Sequence, residues 1–117
     1  SKYKPKYRSP LNYTLLRDTP VGDFVLEVKA RSTARKYGHR DVCVIFGHQN
    51  ADQFYYVHLA TKQDDHAHQI FIVNNAARTK ISETSTKGVN WTEGWHQIRV
   101  MRTASDGKIS VFFDDMD

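Results

Sequence analysis

Residues 23–31 read Asp-Phe-Val-Leu-Glu-Val-Lys-Ala-Arg, with Phe24, Leu26, Val28 and Ala30 on one parity and Glu27, Lys29 and Arg31 on the other. A strand turns successive side chains to opposite faces, so this alternation fits a half-buried β-strand and does not fit a helix. The same period returns in 95–103. Ala104-Ser105-Asp106-Gly107 joins that run to Lys108-Ile109-Ser110-Val111-Phe112-Phe113, and Asp-Gly is the expected chemistry of a tight hairpin turn. Residues 41–47 are apolar on both parities, which predicts a central sheet position. Across the Asn50-Ala51-Asp52 turn, 53–60 place Phe54, Tyr56 and His58 on one face and Tyr55, Val57 and Leu59 on the other. Further strands are expected over 13–17, 66–74 and 79–82 and near Trp91. A helical period is nowhere sustained.

Strands with one apolar face, separated by short turns, predict two packed antiparallel sheets. The chain has 117 residues, enough for one core and no second lobe. Residues 1–10, with Pro5 and Pro10 among lysines, read as an extended lead-in, and 11–117 as the sandwich. Aromatic residues make up 12% of the chain, an excess that suits pleated surfaces. Cys43 is the sole cysteine, which excludes an internal disulfide, and its apolar surroundings predict a small buried thiol. No stretch approaches the roughly 20 apolar residues of a membrane-spanning helix. The net charge of +4 is concentrated in Lys2, Lys4, Lys6 and Arg8 and in Arg31, Arg35, Lys36 and Arg40, which read as solvated ends and loops. No recognition helix, zinc spacing or RNP-like aromatic motif accompanies that charge, so nucleic acid is not an expected partner. Weak attraction to acidic polysaccharide is as natural a use of it.

Three stretches carry a family resemblance: Gly22-Asp23-Phe24-Val25-Leu26-Glu27-Val28; Val44-Ile45-Phe46-Gly47 with Phe54-Tyr55-Tyr56-Val57-His58-Leu59; and Gly94-Trp95-His96-Gln97-Ile98-Arg99-Val100 running on to Phe113-Asp114. Together they resemble the concanavalin A-like lectin and glucanase superfamily, in particular the secreted 3-keto-disaccharide hydrolase and family-16 glycoside hydrolase-like group. The resemblance implies an all-β, antiparallel two-sheet jelly roll. It also implies flanking strands that are short or absent here, so a fragment of a larger domain is expected, with sheet edges open to self-association. A secreted or periplasmic setting is a further implication. The motifs specify fold more than reaction.

The implied function is a carbohydrate-binding or polysaccharide-processing domain acting through one sheet face. The alternatives are a non-catalytic laminin-G-like adhesive or structural module, and a polysaccharide lyase or metal-dependent jelly-roll enzyme. A retaining family-16 mechanism needs two carboxyl groups about 5–5.5 Å apart, supplied by a Glu-x-Asp-x-x-Glu strand. Glu27, Glu83 and Glu93 are the only glutamates and none stands in that arrangement. In the lyase alternative Tyr56 and His58, two apart on one face, move the proton, and Arg78, Arg99 and Gln69 line the groove. His66 and His68 at the same spacing are the metal-ligand candidates, with His58 a third. The glutamate that a cupin pattern adds is missing, so no cofactor is expected and a metal ion is the less favoured alternative. Sugar binding calls for exposed rings and planar polar groups, for which His48, Gln53, Tyr55, Asn74, Asn75, Arg78 and Trp91 are the candidates. Trp95, opening an alternating strand, is expected as a core anchor.

Overall fold

The computed structural model describes residues 10, 13–16, 22–38 and 40–115. Among them are seven strands and no helix: β1 Phe24–Ala30, β2 Asp41–Asn50, β3 Gln53–Ala60, β4 Ile70–Asn74, β5 Thr79–Lys80, β6 His96–Thr103 and β7 Lys108–Phe113. They form two antiparallel sheets, β1-β6-β7 and β2-β3-β4-β5. The chain enters the first sheet with β1, meanders through the second, and returns with the β6–β7 hairpin. That hairpin closes where the Asp-Gly turn predicts it, with Gly107 at φ +70°.

The alternation decides what lies between the sheets. Phe24, Leu26 and Val28 of β1, Ile98 and Val100 of β6, and Ile109, Val111 and Phe113 of β7 meet Val42, Val44, Phe46, Tyr55, Val57, Leu59 and Ile70 of the second sheet. One core therefore joins both sheets, and the architecture is sandwich-like.

A second apolar cluster lies on the outer face of the four-stranded sheet: Phe54, Tyr56, Phe71 and Val73 are buried there, with Ile45 packed against them. This revises the reading of β2. Among the described residues it is an edge strand, not a central one, and its apolar residues on both parities reflect apolar packing above and below the sheet, not neighbours on both sides. Cys43 consequently sits on the outward face of an edge strand and is exposed, not buried.

Other boundaries also move. Residues 13–16 carry no strand, and Arg17 lies outside the described residues. β4 begins at Ile70, not at 66, because an Asp64–Ala67 bridge and a left-handed His68 at φ +58° turn the chain first. The segment near Trp91 is not a strand either. Val89 bonds the Ala60 carbonyl, and Arg40 clamps the backbone of Trp91 and Thr92. Arg40, expected in a solvated loop, is only 2% exposed. It donates to Ser32 Oγ and to the Ser32, Trp91 and Thr92 carbonyls at 2.7–3.2 Å. Burial of a guanidinium is tolerated when its fixed fork of donors is satisfied in this way.

Candidate functional site

The outer face of the four-stranded sheet gathers the residues expected to do chemistry. Tyr56 and His58 share it, and Arg78 Nη1 donates to the Tyr56 hydroxyl at 3.0 Å while its guanidinium lies 4.9 Å above the Phe71 ring. His58 is directly opposite Cys43 and holds Asp41 through Nε2 at 2.5 Å. Tyr56, however, is 1% exposed and His58 is buried. Tyr56, His58 and Arg78 come together, but as a packed cluster that leaves Tyr56 no access to a substrate; Arg99, expected in the same groove, lies on β6 of the other sheet, and Gln69 is buried with its amide donating to the Asp64 carbonyl. His58 Nδ1 is buried with no hydrogen-bond partner among the described residues. Although part of Cys43 reaches the surface, crowding that strips water from its sulfur, and after it the Asp41 carboxylate, push the thiol up to about 12. Exposure governs access and crowding governs ionisation, so this thiol is reachable but poorly nucleophilic.

The histidine pair is not preserved as a pair. His66 is exposed in the Asp64–Ala67 bridge, its backbone N–H donating to Asp64 Oδ1, whereas His68 is buried. Neither lies on a strand, so the two-residue spacing no longer puts them on one face. The Ala60 N–H donates to His68 Nδ1, so Nε2 carries the proton toward Thr86 Oγ1 at 2.7 Å. Burial first, and neighbouring His58 second, lower the His68 pKa from its ordinary 6.5. Among the described residues no group of three or more His, Cys, Asp or Glu could hold a metal ion.

Three of the sugar-binding candidates do converge. Gln53, Tyr55 and Asn74 line a depression of about 250 Å³ at one open end of the sandwich, together with Gly47, Gln49 and Arg102. Tyr55 stacks on Phe46, with centroids 5.6 Å apart and planes at 8°, and Arg102 lies 5.2 Å over the Tyr55 ring. Gly47 permits this packing: its φ is +59°, and a Cβ there would come within 2.9 Å of the ring. The remaining candidates are elsewhere. His48 accompanies Tyr13 and Phe54, Asn75 at φ +54° bonds the Asp52 carbonyl, and Arg78 belongs to the packed cluster.

The two tryptophans exchange the places expected of them. Trp91 is 2% exposed, its indole N–H donating to the Leu59 carbonyl at 3.0 Å and its ring edge-on to Phe113. It is a core residue and offers no face to a sugar. Trp95 is 66% exposed. It stands immediately before β6, in which His96, Ile98 and Val100 point inward, so its parity is that of the outward Gln97, Arg99 and Met101. His96 takes the anchoring place that Trp95 was given. It is buried against Trp91 and Phe113, accepts from the Thr92 N–H, and reaches Asp114 through Nδ1 at 2.7 Å.

Outward from the three-stranded sheet, then, stands a row of which only Arg99 had been expected at a site, and that on the Tyr56 face of the other sheet. Trp95 is at one end and the cross-strand pair Val25 and Met101, both exposed, at the other. Between them Arg99 Nε and Nη2 donate to Glu27 Oε1 at 2.8 and 2.7 Å, next to Lys29 and Gln97. Arg99 also sits 6.0 Å over Phe112 of β7. Glu27, Val28, Lys29, Gln97, Ile98 and Arg99 border a shallow depression of about 320 Å³. Chemically this is an open sheet face with one exposed indole ring and several planar hydrogen-bonding groups.

No family model matches the chain, and no curated protein or solved structure matches it either.

Proposed function

We propose that this chain is a carbohydrate-binding sandwich of the concanavalin A-like, jelly-roll kind, taking an extended oligosaccharide across the outer face of its three-stranded sheet. The observation that carries the reading is Trp95, 66% exposed just before β6 and on the sequence parity of the outward Gln97 and Arg99. An indole face covers the apolar face of a pyranose, while amide, carboxylate and guanidinium groups bond its hydroxyls. A face this open suits a polymer segment better than an enclosed monosaccharide. The family resemblance points the same way and adds a secreted or periplasmic setting. The role proposed is binding: the tyrosine and histidine that would serve a lyase are held inside the packed cluster on the other sheet.

The exposed Val25 and Met101 pair favours one other reading, an adhesive module whose partner is a protein. A panel of soluble β-glucans, xylans and uronate polymers, screened with wild-type protein and Trp95→Ala, separates the two. Binding to at least one polysaccharide, weakened about tenfold or more by Trp95→Ala with the melting temperature unchanged, is the expected result. Absence of binding across the panel, or a variant that binds as well as wild type, would remove the proposal.

A further inference from the structure

The mouth of the sandwich holds a guanidinium that the fold positions and that no described residue neutralises. Arg102 is on the inward parity of β6, opposite Phe24 of β1 and Ile109 of β7, where an apolar residue would continue the core. Its flat face rests on Tyr55, which is itself fixed by Phe46 and by the missing Cβ of Gly47. Stacking uses the face of a guanidinium and leaves its five in-plane N–H donors available. Among the described residues no carboxylate pairs with Arg102, and no acidic side chain lines the depression it borders.

The amides beside it are arranged in one direction. Asn50 Nδ2 donates to Gln53 Oε1 at 2.8 Å, and Gln53 Nε2 donates to Asn74 Oδ1 at 3.3 Å. Each step consumes an acceptor, so the chain ends on the Asn74 NH₂ group at the rim. A site with a prepositioned guanidinium, terminal amide donors and no carboxylate is complementary to an anion whose neighbouring atoms also accept hydrogen bonds.

We propose that this mouth is a second binding site, for a carboxylate flanked by hydroxyl groups as in a sugar acid, with Arg102 as the bidentate anchor and Asn74 and Gln53 bonding the hydroxyls. It stands apart from the sheet-face reading, since it uses different residues on the opposite side of β6.

The test is a titration of the folded chain with trigalacturonate and with its methyl ester, followed through the Arg102 Nε–H and side-chain amide resonances. The acid moves the Arg102, Gln53 and Asn74 signals to saturation, and the ester, which lacks the charge, binds about tenfold or more weakly. Arg102→Gln loses this preference for the acid, and Arg102→Lys, which keeps the charge without the fork, falls between. Asn74→Asp sets a like charge at an exposed strand end, so it abolishes binding without disturbing the core and serves if Arg102→Gln fails to fold. Equal binding of acid and ester, wild-type affinity in Arg102→Gln or Asn74→Asp, or no response of the Arg102 signal would each overturn the proposal.

Discussion

The two sheets present outer faces of opposite character. On the four-stranded sheet Phe54, Tyr56, Phe71 and Val73 are buried in a packed cluster, and polar members such as His58 and Arg78 are tied to Asp41 and Tyr56. On the three-stranded sheet Val25, Met101 and Trp95 remain exposed around a Glu27–Arg99 ion pair. Both faces carry aromatic and ionisable residues, so the types of residue do not distinguish them. Coverage does. The covered face has become core, where a ring contributes stability, and the open face keeps its ring available to a ligand.

The largest effect that would break this contrast is on stability. Phe71→Ala should cost about 3–5 kcal/mol, as expected for removing a buried ring from a packed cluster, and Tyr56→Ala a similar amount because it also releases Arg78. Met101→Ala on the open face should stay within about 0.5 kcal/mol. Urea unfolding of the three variants measures this, and equal losses on the two faces would mean that the open face is also core.

A smaller effect is pH dependence at the end of the covered face. Burial keeps His68 neutral in the fold, so its pKa is lower there than in the unfolded chain. Above 6.5 both states are neutral and the contribution is complete. As pH falls below 6.5 the unfolded chain takes up the proton first, so stability declines until the folded pKa is passed. Denaturation midpoints between pH 8 and pH 5 should show this decline, reduced in His68→Asn, which tolerates the left-handed backbone. An unchanged slope in the variant would assign the decline to other groups. The smallest effect belongs to the open face. Glu27→Gln removes an ion pair whose carboxylate is largely solvated, and should cost less than about 1 kcal/mol and less still in high salt. A larger loss would make that pair structural, not part of a free surface.

How much of this was legible in the sequence depended on whether the signal was local. The β1 alternation, the β2–β3 hairpin and the Asp-Gly turn of β6–β7 are properties of neighbouring residues, and each stands as read. The exchange of Trp91 and Trp95 was legible in part: once Ile98 and Val100 are inward, parity alone puts Trp95 outside. That Trp91 is buried depends on Leu59 and on Arg40, which are 32 and 51 positions away, and no local pattern reports such contacts. Arg40 read as a loop cation for the same reason. The edge position of β2 was hidden because a two-sided apolar run records covered faces, not lateral neighbours. His66 and His68 were misread because a left-handed residue, rare outside glycine and asparagine, interrupts the expected strand. Of the candidate site, Gln53, Tyr55 and Asn74 were found as residue types. Their anchor Arg102 was not, since nothing local marks an arginine as facing inward.

The two indoles provide the most direct measurement of the central claim, because one belongs to the core and the other to the open face. Their N–H resonances can be followed while the best-binding oligosaccharide of the β-glucan, xylan and uronate panel is added. The Trp95 signal is expected to move and saturate, while the Trp91 signal, held on the Leu59 carbonyl, stays in place. A Trp95 signal that remains still at saturating glycan, or a response confined to Trp91, would contradict that claim.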